Sequence, residues 1–168
     1  MTIDVLVKKL YDALATWAKP QGLKVSLARD PFDSLEVLAV GPAEALIVVS
    51  WAGDAPVDPV MGPDDDLTGA VEHSLEIIVG QGLGLEFIKD WRLIAGRGNR
   101  KSLLSRVDQV RKFVLSLVYP DDQETLGRFE YKGTEPFTTP EGIPLAAFRM
   151  RFSIVASVDE AASDVQLT

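Results

Sequence analysis

Between Leu145 and Val158 the chain alternates. Phe148, Met150, Phe152, Ile154, Ala156 and Val158 fall on one side, and Arg149, Arg151, Ser153 and Ser157 on the other. Strand side chains point alternately to opposite faces, so this pattern specifies a strand with one buried face and one face open to water. A strand of that kind belongs to an antiparallel sheet covered on one side only. The covering layer must come from amphipathic segments elsewhere in the chain.

Two segments qualify. Ile3, Leu6, Leu10, Leu14 and Trp17 are spaced by three and four residues, which predicts a helix from Ile3 to about Lys19 with a single apolar stripe. Thr2 is placed to cap it, Asp4 suits the positive end of its dipole, and Pro20 with Gly22 ends it. Leu103, Val107, Val110, Val114 and Leu117 form a second stripe, predicting a helix from Arg100–Ser102 to Val118. Arg106, Gln109, Lys112 and Ser116 cover its outer surface, and Pro120 stops it.

Strands fill the remainder. Leu23–Leu27 and Leu35–Val40 are short candidates separated by the Asp30-Pro31 break. Ala45–Trp51 is apolar almost throughout and reads as a central strand buried on both faces. Val71–Val79 places Val71, His73, Leu75, Ile77 and Val79 on one side and Glu72, Ser74 and Glu76 on the other, before Gly80, Gly82 and Gly84 interrupt it. Leu85–Ala95 reads as part strand and part loop. Phe129–Lys132 is a further strand, followed by a turn through Pro136, Pro140, Gly142 and Pro144. The order condenses to α–β–β–β–α–β–β. The expected fold is α+β, with two helices packed on one face of a mainly antiparallel sheet. A single domain over residues 1–158 is expected, with a long loop at 53–69 acting as a functional, mobile or subunit-contact arm and a flexible tail at 159–168.

Composition narrows the chemistry. The 168 residues contain no cysteine and one histidine, so disulfides, thiolate metal sites, a cysteine nucleophile and multi-histidine zinc sites within one subunit are excluded. The longest apolar runs, such as Ala45–Val49, fall far short of the roughly 20 residues of a spanning helix. Asp4 and the lack of a basic region before an apolar stretch argue against a signal peptide, and a cytosolic assembly site fits the missing cysteines. The net charge of −8 disfavours general nucleic-acid binding, but it is unevenly spread. Residues 1–90 carry −9, residues 91–118 carry +6 and residues 119–168 carry −5.

The motif-like stretches fail on spacing. Gly80–Leu85 lacks the third glycine spacing of a dinucleotide fingerprint and has no helix directly after it. Gly96–Ser102 ends in Lys-Ser but has Arg100 and Ala95 where a phosphate loop needs glycines. It reads as a solvated helix start, or as a loop contacting an anion at the free N–H groups of the helix. Asp64, Asp65 and Asp66 lack the spaced acids of a calcium loop and read as solvated. His73 has no triad partner, because adjacent Ser74 points to the opposite face, and is expected to be structural. Glu72 and Glu76 share a face but stand about 13 Å apart along a strand, too far for paired-carboxylate chemistry. Trp17 belongs to the first helical stripe, leaving Trp51 and Trp91 as open candidates for interface anchors.

Three stretches carry a resemblance. These are Leu103-Leu104-x-x-Val107-x-x-Val110-Arg111, Phe129-Glu130-Tyr131-Lys132-Gly133-Thr134-Glu135-Pro136, and Thr139-Pro140-Glu141-Gly142-Ile143-Pro144-Leu145-Ala146-Ala147-Phe148. Together they resemble tail terminator (tail completion or neck) proteins of long-tailed, Mu-like contractile bacteriophages and prophages. The resemblance implies a non-enzymatic virion protein, assembled in the bacterial host cytoplasm and located at the tail neck. It implies a homo-oligomeric ring, a hexamer, on the head-proximal end of the tail tube. Such a ring stops tube growth, contacts tube and sheath proteins and docks the head connector. Genomic DNA passes through without sequence-specific binding. No cofactor, metal or catalytic residue is implied. For ring contacts, the basic Arg97, Arg100, Lys101 and Arg106 are candidates to face the acidic segment containing Asp64, Asp65 and Asp66 on the next copy. Alternative readings are another neck or head-completion protein, a generic ligand-binding domain, or a small metal-dependent hydrolase using Asp64, Asp65, Asp66 and Glu76.

Overall fold

The computed structural model describes residues 3–28, 44–56, 70–82, 102–118, 127–139 and 145–157. Over these residues the chain is α+β, with two helices and a five-stranded mixed sheet. Helix α1 is Ile3–Ala18 and helix α2 is Leu103–Ser116. The strands are β1 (Lys24–Leu27), β2 (Ala45–Pro56), β3 (Ala70–Gly82), β4 (Glu130–Phe137) and β5 (Leu145–Ser157). Their spatial order is β1-β2-β3-β5-β4, parallel only between β1 and β2.

Both helical stripes seal the same sheet face. Leu6, Leu10, Leu14 and Ala18 of α1 and Leu103, Val107, Val110 and Val114 of α2 join one core cluster. The sheet contributes Ala45, Ile47 and Val49 from β2, Leu75, Ile77 and Val79 from β3, and Met150, Phe152 and Ile154 from β5. Each fully buried Leu, Ile or Phe contributes about 1.5–3 kcal/mol over its exposed state. Helix α1 gives way to a 3-10 turn at Lys19–Gln21, which closes on Gly22 at φ 67°, a left-handed conformation suited to glycine. Helix α2 is capped by Ser102, whose hydroxyl accepts a hydrogen bond from the Ser105 amide at 3.0 Å.

Several strands run further than their sequence pattern suggests. β2 continues past Trp51 to Pro56, so residues 53–56 belong to the sheet and not to the expected loop. Between Trp51 and Gly53 the pairing shifts at a bulge, and Gly53 adopts φ 119°. β3 does not stop at the glycines: Gly80 and Gly82 pair with Ala147 and Leu145. A Cβ on Gly80 would meet the Leu145 side chain at 3.0 Å, so the missing side chain makes room for a cross-strand neighbour. β4 runs through Pro136, which the sequence places in a turn. It is an outer strand, where proline's lost donor is tolerated. The predicted strand at 35–40, the Thr2 cap, residues 57–69 of the long loop, the 85–95 segment, the turn over 140–144 and the tail after residue 158 lie outside the described residues.

Candidate functional site

The second sheet face divides into two halves. One is apolar and buried, made of Leu46, Val48, Ile78, Leu145 and Ala147, with Ala28 and Phe137 packed against it. The other is a lattice of paired charges across β3, β5 and β4. Register places Arg151 beside Glu76, and Arg149 beside Glu135. The Arg149 Nε and the Arg151 Nη2 each donate to Glu135 Oε1 at 2.8 Å. Glu76 Oε1 lies 3.5 Å from Arg149 Nη1 and 3.4 Å from Arg151 Nε. The Arg149 guanidinium also sits 5.9 Å from the centre of the Phe137 ring, within cation–π range. The bulge between Tyr131 and Gly133 shifts the parity of β4, so that Glu135 beyond it shares this face with Lys132 before it; the Lys132 ammonium meets Glu72 at 3.2 Å and Glu130 at 2.6 Å.

The charges answer one another. Hydrogen bonding from Arg149 holds the Glu135 carboxyl below its ordinary range, and Glu135 in turn raises the Arg149 guanidinium. The Ser153 hydroxyl, with Lys132, holds the Glu72 carboxyl down. Four carboxylates (Glu72, Glu76, Glu130 and Glu135) face three cations (Lys132, Arg149 and Arg151), so the lattice is close to neutral. Two arginines crowd Glu76, which suits an ion pair and opposes a bound cation. Among the described residues no group of three or more His, Cys, Asp or Glu side chains is arranged to hold a metal ion.

The sheet also narrows at one end. β1 pairs with β2 only as far as Leu27↔Val49, and β4 pairs with β5 only as far as Glu130↔Ser153. From the row Asp54–His73–Ile154 outward, only β2, β3 and β5 remain among the described residues. Ladder pairs continue to Pro56↔Val71 on β2 and to Ala70↔Ser157 on β5, making an arm of three three-stranded rows and a last two-stranded one, roughly 10 Å at strand rise. Trp51 lies just inside the arm's root and is 45% exposed, large for an indole in a sheet. Leu27, two rows away on β1, is 49% exposed. His73 at the root is buried, and its Nδ1 has no hydrogen-bond partner.

The sequence-derived candidates fare differently. His73 faces the core side and Ser74 is exposed on the other, as the strand period requires. Trp17 packs against the core and stacks on Phe113 at 4.9 Å. Arg106 is not the freely outward cation expected on α2. Its Nε is buried without a partner, and burial lowers the pKa of its guanidinium. Lys112 and Ser116 are exposed as expected, while Gln109 is half-buried. Asp64, Asp65, Asp66, Arg97, Arg100, Lys101 and Trp91 lie outside the described residues. Sequence reasoning misses the Glu76–Arg149–Arg151–Glu135 lattice: alternation puts Glu76, Arg149 and Arg151 on outward faces, but Glu135 lies beyond the strand expected at Phe129–Lys132 and joins it only because β4 runs on to Phe137. The missing information was that β3 lies beside β5 and β5 beside β4.

No helix among the described residues is long and apolar enough to cross a membrane. No family model and no curated protein matches the chain. Among solved structures, two nucleotide-free crystal forms of the catalytic domain of histidine kinase ThkA align over 92% of this chain and 92% of theirs, at 11% identity. Their TM-scores are 0.30 and 0.28, a level of likeness that carries no argument about fold or activity.

Proposed function

We propose that this chain is a structural, non-enzymatic subunit that assembles with its own copies into a closed ring, as tail terminator proteins do at the head-proximal end of a phage tail tube. The observation that carries this reading is the three-stranded arm that, among the described residues, reaches past both outer strands of its own sheet. A ring needs a heterologous contact, in which one surface of a subunit meets a different surface of the next. An arm with exposed Trp51 at its root supplies one such surface, since tryptophan is a favoured interface anchor. The near-neutral charge lattice supports a contact or lining role over chemistry, because its acids are already committed to arginine and lysine. The described parts of the three stretches carrying the family resemblance fall in α2, in β4 and at the start of β5, and β4 and β5 are neighbours in the sheet. The partners proposed on this reading are further copies of the chain in a hexamer, the tail tube and sheath, and the head connector, with DNA passing through the lumen.

Light scattering on size-separated protein, alone and with purified tail tube, tests the proposal. A ring-sized species is expected, and Trp51→Ser should weaken it without lowering the melting temperature of the single subunit. Reversing charge at Arg100 and Lys101 should also weaken it, with recovery when Asp64, Asp65 and Asp66 are reversed in the same chain. A chain that stays monomeric at high concentration and ignores tail tube refutes the ring.

A further inference from the structure

We propose that His73 is an acid-sensitive latch at the root of the three-stranded arm. Neutral and buried, it ties the arm to the body of the sheet; protonated, it moves toward the Asp54 carboxylate and solvent, and the arm's outer rows loosen. The inference stands apart from the ring reading, since it concerns one subunit.

The geometry is specific. His73 is the chain's single histidine, and it occupies the row where, among the described residues, the sheet narrows to three strands. It is 9% exposed, with Val71 and Leu75 on its own face of β3 and Ile154 opposite on β5. Asp54 is its partner on β2 and is exposed. Directly paired residues on one sheet face hold their Cβ atoms about 4.5–5.5 Å apart. The imidazole therefore has a carboxylate within reach but not in contact.

Protonation changes what this site must satisfy. A neutral imidazole with its proton on Nε2 leaves Nδ1 as a bare acceptor, one unmade hydrogen bond. The imidazolium makes Nδ1 a charged donor with no acceptor in place, which is far more costly in an apolar setting. The charged groups acting on the ring are Asp54, which favours the cation, and the chain's amino terminus, which opposes it. Burial outweighs both and pushes the histidine's pKa below its ordinary value. The open form, exposed and beside Asp54, binds a proton more readily, so acid shifts the population toward it. The bulge between Trp51 and Gly53 interrupts the β2–β3 ladder just inside the outer rows, separating their pairing from that of the inner ones.

Hydrogen-exchange protection factors at pH 7.5 and pH 5, measured on the whole chain, test the latch. Amides of 53–55, 70–73 and 154–157 should lose protection several-fold at the lower pH, while those of 46–49 and 77–80 keep theirs. His73→Gln, which cannot titrate, should abolish the difference, and Asp54→Asn should move the transition to lower pH. Should His73→Gln fold poorly, the imidazole titration of the unmodified chain by NMR gives the answer, with a midpoint below that of a free histidine expected. Equal arm protection at both pH values, a loss shared equally by the body, the same loss in His73→Gln, or an ordinary histidine midpoint would each overturn the proposal.

Discussion

Phe152 and Arg151 are neighbours in sequence on opposite faces of β5, and truncating each tests the two-faced sheet directly. Phe152 is 1% exposed. It lies between Leu75 and Tyr131 in register and meets the Phe129 ring edge-on at 6.4 Å and the Tyr131 ring at 5.6 Å. Removing a buried phenylalanine to alanine costs about 3–5 kcal/mol, through lost transfer energy plus an unfilled cavity. Two aromatic contacts disappear with it, which places the expected loss in the upper half of that range. Domains of this size hold only about 5–15 kcal/mol in all. At roughly 2–4 °C per kcal/mol for 150–250 residues, Phe152→Ala should lower Tm by about 8–20 °C. Arg151→Ala removes a half-exposed side chain whose contacts to Glu76 and Glu135 are solvent-screened, and such pairs contribute little. Paired thermal and urea melts of the two variants, with unchanged urea m-values as the control, provide the assay. Equal losses, or a larger loss for Arg151→Ala, would mean that β5 turns its other face to the helices, and the core assignment would fall.

Three further outcomes are expected. Arg149 holds the folded Glu135 carboxyl below its ordinary value of 4.5, so its contribution is complete above that pH and disappears as pH falls through the lower folded value; Glu135→Gln should flatten the acid limb of stability, read from urea midpoints between pH 6 and pH 3. Ser102→Ala removes the cap of α2 and should cost about 1 kcal/mol in urea unfolding, while Ser102→Asp should retain most of it. Gly133 sits in the β4 bulge at φ 145°, where a side chain is strained, so Gly133→Ala should cost about 1–3 kcal/mol, whereas Thr134→Ala beside it should be near neutral by the same melt.

Much of the fold was legible because it depends on local periodicity. The stripes of α1 and α2, the apolar run of β2 and the alternation of β3 and β5 each report burial through the spacing of their own side chains. Ends and irregularities were less legible. Past Trp51 the residues Ala52, Gly53, Asp54 and Ala55 have no strand-like composition, yet after the bulge at Ala52, β3 holds Gly53, Asp54 and Ala55 in the ladder. Gly80 reads as an interruption until Leu145 is known to lie against it. Pro136 reads as a turn until β4 is known to be an outer strand. The charge lattice was half legible: outward positions of Glu72, Glu76, Arg149 and Arg151 follow from strand parity, but their pairing does not.

By itself, then, the order of side chains determined which segments become helix or strand and which face of each is buried, because 3.6- and 2-residue periods are set by backbone geometry within a few residues. Only the tertiary structure decided that β3 lies between β2 and β5, that two arginines close on Glu76 and Glu135, and that among the described residues three strands outrun their neighbours to leave His73 at a narrowing. Those features depend on strand order and register, which follow from how whole surfaces fit across long sequence separations, and no local pattern encodes them.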